Sequence, residues 1–401
     1  MVDSTKAARR PEHRTRPHVA VVTRHWGDSG DEATAATRLV AGAVSRHADV
    51  SIVHLVSPLV PLETLRDSVF EVHRVPVHGA RPLRSGILRV ALAVHDGGLG
   101  VPATAASLLE RYEGDAPEVP EVLERLAPDA IVLAGHHQPY DIGVLGARAS
   151  AGRARVVALP YLGDDRRLAA EPVRSLLEAA DVVGVVHPGE RRAVLAACPG
   201  RSERDVVLLD LALSLNRNAA SHRLFGVRWF GRYVLSIRDF PPGGARYVRS
   251  VTHEVLRSVV GRVSVAEVDG EQWRISDREN TLELPVSPSR VNLWRLMAHA
   301  VATIDLRPPG PFGRETIESL LLGTPVVVPD ASAAMEHAAA ADGGLWYRDV
   351  GELFDATRVL MNRPVRDRLA AQGRAYADAK HAQVDDFVAR VGRIVLGEGA
   401  G

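Results

Sequence analysis

Cysteine is nearly absent from this chain of 401 residues: Cys198 is the only one. No intramolecular disulfide can form and no cysteine-built metal site exists, a pattern suited to a reducing cytoplasm. Lysine is just as scarce. Of 49 basic side chains only Lys6 and Lys380 are lysines, which excludes any lysine-dependent step in the body of the chain. Net charge is missing too, because 49 acidic groups cancel the 49 basic ones. That balance points away from nucleic acid as a partner. No apolar run approaches the length of a membrane span. Residues 1–17 are polar and basic through Arg9, Arg10, Arg14 and Arg16, without the apolar stretch of a signal peptide. The expectation is a soluble, cytoplasmic protein with 1–17 as a disordered tail.

What is present is a long alternation of strand and helix signals. The length exceeds one ordinary core, so two domains are expected. Residues 18–23 are an apolar strand, 24–31 a glycine-containing loop, and 33–47 a helix with Ala36, Leu39, Val40, Ala43 and Val44 on one face. A strand over 50–55 completes a right-handed βαβ unit. Further strands are read over 130–134, 155–159, 181–186 and 205–209. A polar stretch over 214–222 marks a crossover, and a second series follows: strand 233–237, helix 248–260, strand over 262–268 and 281–285, helix 291–299, strand 302–306. Residues 350–395 read as mostly helical. The expected fold is α/β, two Rossmann-like doubly wound domains facing a cleft. Their bounds are 18–213 and 233–380, with 214–232 as linker and 381–401 as a C-terminal helix crossing back to the first domain.

The densest signal lies in residues 305–330. Pro308, Pro309, Gly310 and Pro311 forbid regular structure, and Gly313 lets backbone approach a ligand closely. Helical spacing runs through 315–322 on Ile317, Leu320 and Leu321, and Gly323 ends it as a C-cap. Val326, Val327 and Val328 form the short continuous run of a strand buried on both faces. A loop that opens a helix beside such a sheet is where anions and nucleotides bind, on backbone amides and the helix dipole.

Phe312-Gly313, Glu318 and Gly323-Thr-Pro-Val-Val327 together resemble the donor-site signature of the retaining, two-domain glycosyltransferases of family 4, which have the GT-B fold. Leu293-Trp-Arg-Leu-Met-Ala298, Glu336 and Gly343-Gly344 add to the resemblance. It covers most of 233–395, and over 18–210 it rests on strand order and the glycine loop. It implies transfer of a hexose from a nucleoside-diphosphate sugar to a sugar or lipid-linked acceptor, with no metal and no other cofactor. The N-terminal domain would take the acceptor side and the C-terminal domain the donor. Arg238, Arg246, Arg307, Phe312, Gly313, Arg314 and Glu318 are the implied donor-binding residues, with Glu318 accepting hydrogen bonds from ribose hydroxyls.

Three positions depart from that pattern. Its first glutamate falls on Gly310, its lysine on Gly243 with Arg246 the nearest substitute, and a histidine near the donor sugar on Pro160 or Tyr161. Asp305, Arg307 and Glu315 offer replacement polar groups around the loop, and Glu315 stands as the candidate catalytic carboxylate. The departures support an alternative, a catalytically degenerate GT-B protein that binds a nucleotide sugar or a partner. A phosphorylase of this architecture would want a cofactor lysine that the body of the chain lacks.

In the N-terminal half, Ser29, Gly30 and Asp31 belong to a glycine loop that would approach donor phosphate and acceptor. The same loop also reads as a plain strand-to-helix turn with Asp31 as N-cap. His136, just past a strand, is a candidate for orienting an acceptor hydroxyl, and a structural or surface histidine is the other reading. A metal set of His136, His137 and Asp141 is disfavoured because adjacent histidines point apart. Residues 81–92 are basic and amphipathic, which fits either a peripheral contact with an anionic membrane or a solvated helix face.

Overall fold

The computed structural model describes residues 15–24, 26, 32–56, 64–66, 69–76, 118–135, 154–162, 168, 171–222, 232–238, 264–269, 272–276, 281–283, 289–307 and 310–397. The chain divides into two units, Met1–Leu209 with Asp385–Gly401, and Asp210–Val384.

The first unit is built from β1 (His18–Thr23), α1 (Glu32–Val44), β2 (Asp49–Val56), β3 (Thr64–Arg66), β4 (Glu71–Pro76), α2 (Glu118–Leu126), β5 (Ala130–Ala134), β6 (Arg155–Leu159), α3 (Glu171–Ala179), β7 (Val182–Val185), α4 (Pro188–Ala197) and β8 (Val206–Leu208). Its sheet runs β3-β4-β2-β1-β5-β6-β7-β8, with β3 antiparallel to β4 and the other pairs parallel. Every residue of β1 and β5 is buried, as a continuous apolar run demands when helices cover both faces of a parallel sheet. Leu123 and Leu126 of α2, Leu176 and Leu177 of α3 and Val194 of α4 pack with Ile131, Leu133, Val156 and Val185 of the strands. Cys198 lies in the same cluster, fully buried.

Two boundaries differ from the sequence reading. Arg16 and Pro17, assigned to the tail, are tied down: Arg16 Nη2 donates to the Ser45 carbonyl (3.1 Å) and Asp49 N donates to the Pro17 carbonyl (2.8 Å). The polar crossover contains a short helix, α5 (Arg217–Ala220), capped by Asn216.

The second unit continues with β9 (Tyr233–Arg238), β10 (Ser264–Asp269), β11 (Gln272–Ser276), β12 (Thr281–Glu283), α6 (Arg290–His299), β13 (Thr303–Asp305), α7 (Arg314–Leu321), β14 (Val326–Pro329), α8 (Ala333–Ala340), β15 (Gly344–Tyr347), α9 (Val350–Met361) and α10 (Arg363–His381). Its sheet runs β12-β11-β10-β9-β13-β14-β15. The β9, β10, β13, β14 and β15 pairings are parallel, while β11 and β12 pair antiparallel on one flank. The sequence reading left β11 unassigned, although Trp273 and Ile275 alternate with polar residues and both are buried. The helix read over 248–260 lies outside the described residues. Strand β9 shows why both faces need apolar residues: Tyr233, Leu235 and Ile237 join the cluster with Leu293, Leu296 and Met297 of α6, while Val234 joins the one with Leu353 and Leu360 of α9. Each such fully buried side chain is worth roughly 1.5–3 kcal/mol.

The last helix, α11 (Val384–Leu396), belongs almost entirely to the first unit. Arg155 Nε donates to the Ile394 carbonyl and Arg390 Nη1 to the Leu209 carbonyl, at 3.0 and 2.8 Å. Among the described residues no helix is long and apolar enough to cross a membrane.

Helix α10 reaches the second sheet through a glycine contact. A Cβ on Gly343 would sit 2.5 Å from the Gly373 Cα, a backbone atom that cannot step aside. Replacing Gly343 by Ala should cost about 2 kcal/mol by overpacking, read as a lower urea midpoint. Gly42, inside α1 with nothing within 4 Å of its would-be Cβ, should behave oppositely, gaining up to ~1 kcal/mol as Ala.

Candidate functional site

In the second unit the chain passes from β9 to β10 on one side, then returns to place β13 on the other side of β9. The order therefore reverses between β9 and β13, and ligands collect outside the carboxyl ends of strands at such a switch point. Asp305 ends β13 beside Ile237, and Leu306 N donates to the Ile237 carbonyl at 2.9 Å. The chain then turns through Phe312, fully buried, into α7.

Gly313 is the N-cap of α7, with φ 62°. A Cβ there would be 2.8 Å from Ala334 N and 2.9 Å from its Cα, so both conformation and space require glycine. A glycine cap has a second effect, because it offers no side chain to the first amides of α7. The helices around it are all capped by side chains: α6 by Ser289, α8 by Ser332, α9 by Asp349 and α10 by Asn362. The amino end of α7 thus carries its dipole without a side-chain cap.

Beneath that end lies a lattice of arginines and carboxylates. Glu318 Oε1 accepts from Arg290 Nε (2.9 Å) and Arg314 Nε (3.0 Å). Its Oε2 forms an ion pair with Arg290 Nη2 at 2.7 Å. Glu315 Oε1 accepts from Arg290 Nη1 at 2.6 Å, and its Oε2 pairs with Arg307 Nη2 at 2.6 Å. Arg307 also forks onto Asp305, Nε to Oδ1 at 2.9 Å and Nη2 to Oδ2 at 2.7 Å. Tyr347 of β15 donates to the Asp305 carbonyl at 2.8 Å.

The layering is definite. Side-chain exposure is 1% for Glu318, 7% for Glu315 and 8% for Asp305, against 28% for Arg290, 25% for Arg314 and 18% for Arg307. The carboxylates lie below and the cations above. Burial opposes the charge of Arg290, but Glu315 and Glu318 outweigh it and raise its pKa. Burial likewise pushes the Glu315 carboxyl up, yet Arg307 and Arg290 overcome this and hold it well below the ordinary range. Held there, Glu315 stays ionised and is a weak base near neutrality. Hydrogen bonds underneath fix the frame: Ser319 Oγ donates to Thr303 Oγ1 (2.8 Å), and Thr324 Oγ1 to the Met297 carbonyl (2.8 Å).

Of the residues named from the sequence, Arg307, Phe312, Gly313, Arg314, Glu315 and Glu318 come together here. Arg238 ends β9 at the same sheet edge, its side chain lying outside the described residues. Arg246, Ser29, Gly30, Asp31, His136 and the 81–92 stretch also lie outside them. Arg290 was missed. Its sequence signal was a cation in the first turn of α6, where the dipole disfavours it and no acidic residue accompanies it.

The first unit has a matching switch point between β1 and β5, where Thr23 pairs with Ala134. His136 follows Gly135, whose φ is 77°. Tyr161, one of the two positions that the resemblance offers for a sugar-facing histidine, has φ 48° and is buried, its phenol beside Thr37 and Glu190. Glu190 accepts from Leu162 N and Val186 N, both at 2.7 Å, and tying these two strand ends is its visible task. Burial pushes its carboxyl up to about 7, against the lowering pull of those amides. Among the described residues no group of His, Cys, Asp and Glu could hold a metal ion.

The lattice has a pH signature. The Glu315 pKa is depressed in the fold, so its stabilisation is fully present above the unfolded value near 4.5 and is lost as pH falls toward the depressed value. Replacing Glu315 by Gln should lower stability at pH 7 by about 1–2 kcal/mol, because the half-buried Arg290 and Arg307 each lose one carboxylate partner and keep another. The gap to wild type should stay constant from pH 7 to 5 and narrow only below the ordinary carboxylate range, as thermal melts across pH would show.

No protein-family model matches the chain, and no curated protein matches its sequence. Solved structures do. The chain is similar to sucrose-phosphate synthase from Thermosynechococcus elongatus, at 14% identity and TM-score 0.63 over 94% of this chain and 98% of that one. It is similar to the trehalose-6-phosphate synthase OtsA, at 12% identity and TM-score 0.66 over 94% and 99%. It is also similar to HepE of Anabaena, solved with UDP and glucose, at 14% identity and TM-score 0.61 over 94% and 98%. At these identities the likeness concerns architecture: the chain has the α/β fold of these proteins, two Rossmann-like doubly wound domains of the GT-B class.

Proposed function

We propose that the chain is a retaining glycosyltransferase, of the family 4 kind, that moves a hexose from a nucleoside-diphosphate sugar to a sugar or lipid-linked acceptor. The observation that carries this reading is the amino end of α7: a left-handed glycine cap, without a side-chain cap hydrogen bond, at a sheet switch point. The HepE structures with UDP and UDP-glucose show a nucleotide sugar bound by a protein of this architecture. In this reading the α7 amides receive the diphosphate, and their dipole stabilises the charge that grows on it as the sugar departs. Arg238 and Arg246 would supply further countercharge, with no metal required.

Glu315 and Glu318 serve this scheme as groups that hold arginines. The ribose contact implied for Glu318 would share its carboxylate with Arg290 and Arg314, three of whose nitrogens already lie against it. His136 is carried as the group that orients an acceptor hydroxyl, and Ser29, Gly30 and Asp31 as the loop beside it. The compartment is taken as the cytoplasm. A second reading, a degenerate binding protein, is favoured by Tyr161 and by the locked state of Glu315, ion-paired with Arg290 and Arg307.

Calorimetry with UDP-, GDP- and ADP-sugars decides whether the donor site exists. Saturable binding of one of them is expected, and absence of binding by all common donors sinks the proposal. Release of nucleoside diphosphate from the bound donor then separates enzyme from binding protein. Replacing Glu318 by Gln should weaken donor binding tenfold or more, about 1.4 kcal/mol per factor of ten, because Arg290 and Arg314 lose their anchor.

A further inference from the structure

The carboxyl edge of the first sheet holds a buried acid that the proposed transfer does not use. Glu190, in the first turn of α4, is 2% exposed, and each of its oxygens accepts one backbone amide, Oε1 from Leu162 and Oε2 from Val186, both at 2.7 Å. The amides belong to different connections, since Leu162 follows the end of β6 and Val186 the end of β7. Glu315 and Glu318 in the second unit are paired with arginines, whereas among the described residues no cation lies in ion-pair range of Glu190. A buried carboxylate without a cation is relieved most simply by taking up a proton.

The segment that Glu190 holds lies where a ligand would. Gly135 N donates to the Leu159 carbonyl at 2.9 Å, so residues 160–162 set out beside the end of β5, which flanks the switch point with β1. All three are buried, and Tyr161 puts its phenol beside Thr37 of α1, the helix that follows β1. The segment therefore reaches across the switch point, where ligands of open parallel sheets collect. Tyr161 has φ 48°, a left-handed conformation that a residue with a side chain keeps only when its surroundings hold it. The very next amide is the one bound by Glu190 Oε1.

A proton changes that hold in a definite way. A carboxylate accepts on both oxygens, while a carboxylic acid keeps one full acceptor and turns the other oxygen into an O–H. Both amide bonds then lose their charge assistance. The neighbouring groups keep their state near neutrality. Burial pushes the Tyr161 phenol up, and the Thr37 hydroxyl from α1 does not titrate. Burial, with Arg192 of α4, lowers the His187 ring to about 4, and its Nδ1 accepts from Glu190 N at 3.2 Å. Glu190, raised to about 7 by burial, is the group of this cluster that changes charge around neutrality.

We propose that Glu190 is a positioning residue for this edge: its carboxylate clamps residues 160–162 to the connection that follows β7, and uptake of one proton loosens the clamp. That a sugar lies along the edge rests on the glycosyltransferase reading, whereas the clamp itself does not. The test is amide hydrogen exchange on the full chain, read by NMR at Leu162 and Val186 as protection relative to Val21 of β1. It is run from pH 5.5 to 8.5 on wild type, Glu190→Gln and Glu190→Asp.

In wild type, protection of at least one of the two amides should fall tenfold or more on going from pH 8.5 to 5.5, with a midpoint near 7. Glu190→Gln, which turns an NH2 toward one of the amides, should show the loosened state at every pH. Glu190→Asp keeps a titrating carboxylate and should keep a pH step. A merely structural carboxylate predicts wild-type protection that is flat with pH. That flat result, or a Gln variant as well protected as wild type at pH 8.5, overturns the proposal. If circular dichroism shows the Gln variant unfolded, the wild-type series decides alone, a step supporting the clamp and a flat profile removing it. Release of nucleoside diphosphate from the bound donor supplies the substrate arm. Wild-type kcat should follow the exchange curve, and Gln should lower kcat tenfold or more at pH 8.5 with donor affinity within twofold of wild type. A kcat indifferent to both pH and the Gln change overturns the positioning role. A chain that turns over no donor removes the transferase reading instead, and the exchange result still decides the clamp.

Discussion

Burying two carboxylates within one turn of a helix carries a large desolvation cost, and much of the second unit is arranged to offset it. Arg290 comes from α6, Arg307 from the end of β13, and Arg314 from α7 itself. Asp305 holds the far side of Arg307, and Tyr347 of β15 holds the Asp305 backbone. Three neighbouring elements, α6, β13 and β15, are thereby fixed around the first turn of α7. The same turn begins at a glycine that offers no side-chain cap.

Much of that frame was legible in the sequence. Continuous apolar runs give β1, β5 and β14 because parallel strands covered on both faces have no polar side to show. The spacing of Ile317, Leu320 and Leu321 gives α7 to within a residue, read as 315–322 and found as Arg314–Leu321. The need for glycine at position 313 was readable as close approach, though its partner turned out to be the backbone of Ala333 and Ala334. Strand β11 escaped notice because alternation over five residues is a weak pattern, and the Asp269-Gly270 turn signal beside it went unused.

Arg290 was not legible for a deeper reason. The chain is rich in arginine, and reach across 25 and 28 residues to Glu315 and Glu318 is a property of tertiary packing. Composition says only that some arginine must meet each buried carboxylate. Tyr161 is a related case. A sequence comparison can mark the position as altered, but its left-handed backbone angle and the burial of its phenol beside Thr37 and Glu190 belong to the structure. In both cases the residue type was visible and its direction was not.

The solitary cysteine has a use that follows from where it lies. Cys198 is fully buried in the core of the first unit, among Val194, Val206 and Leu177. A buried thiol is inert to modifying reagents until the structure around it opens. The second unit contains no thiol at all. The rate at which a thiol reagent labels the native chain is therefore a clock for opening of one unit alone, silent toward the other, and requires no engineered probe.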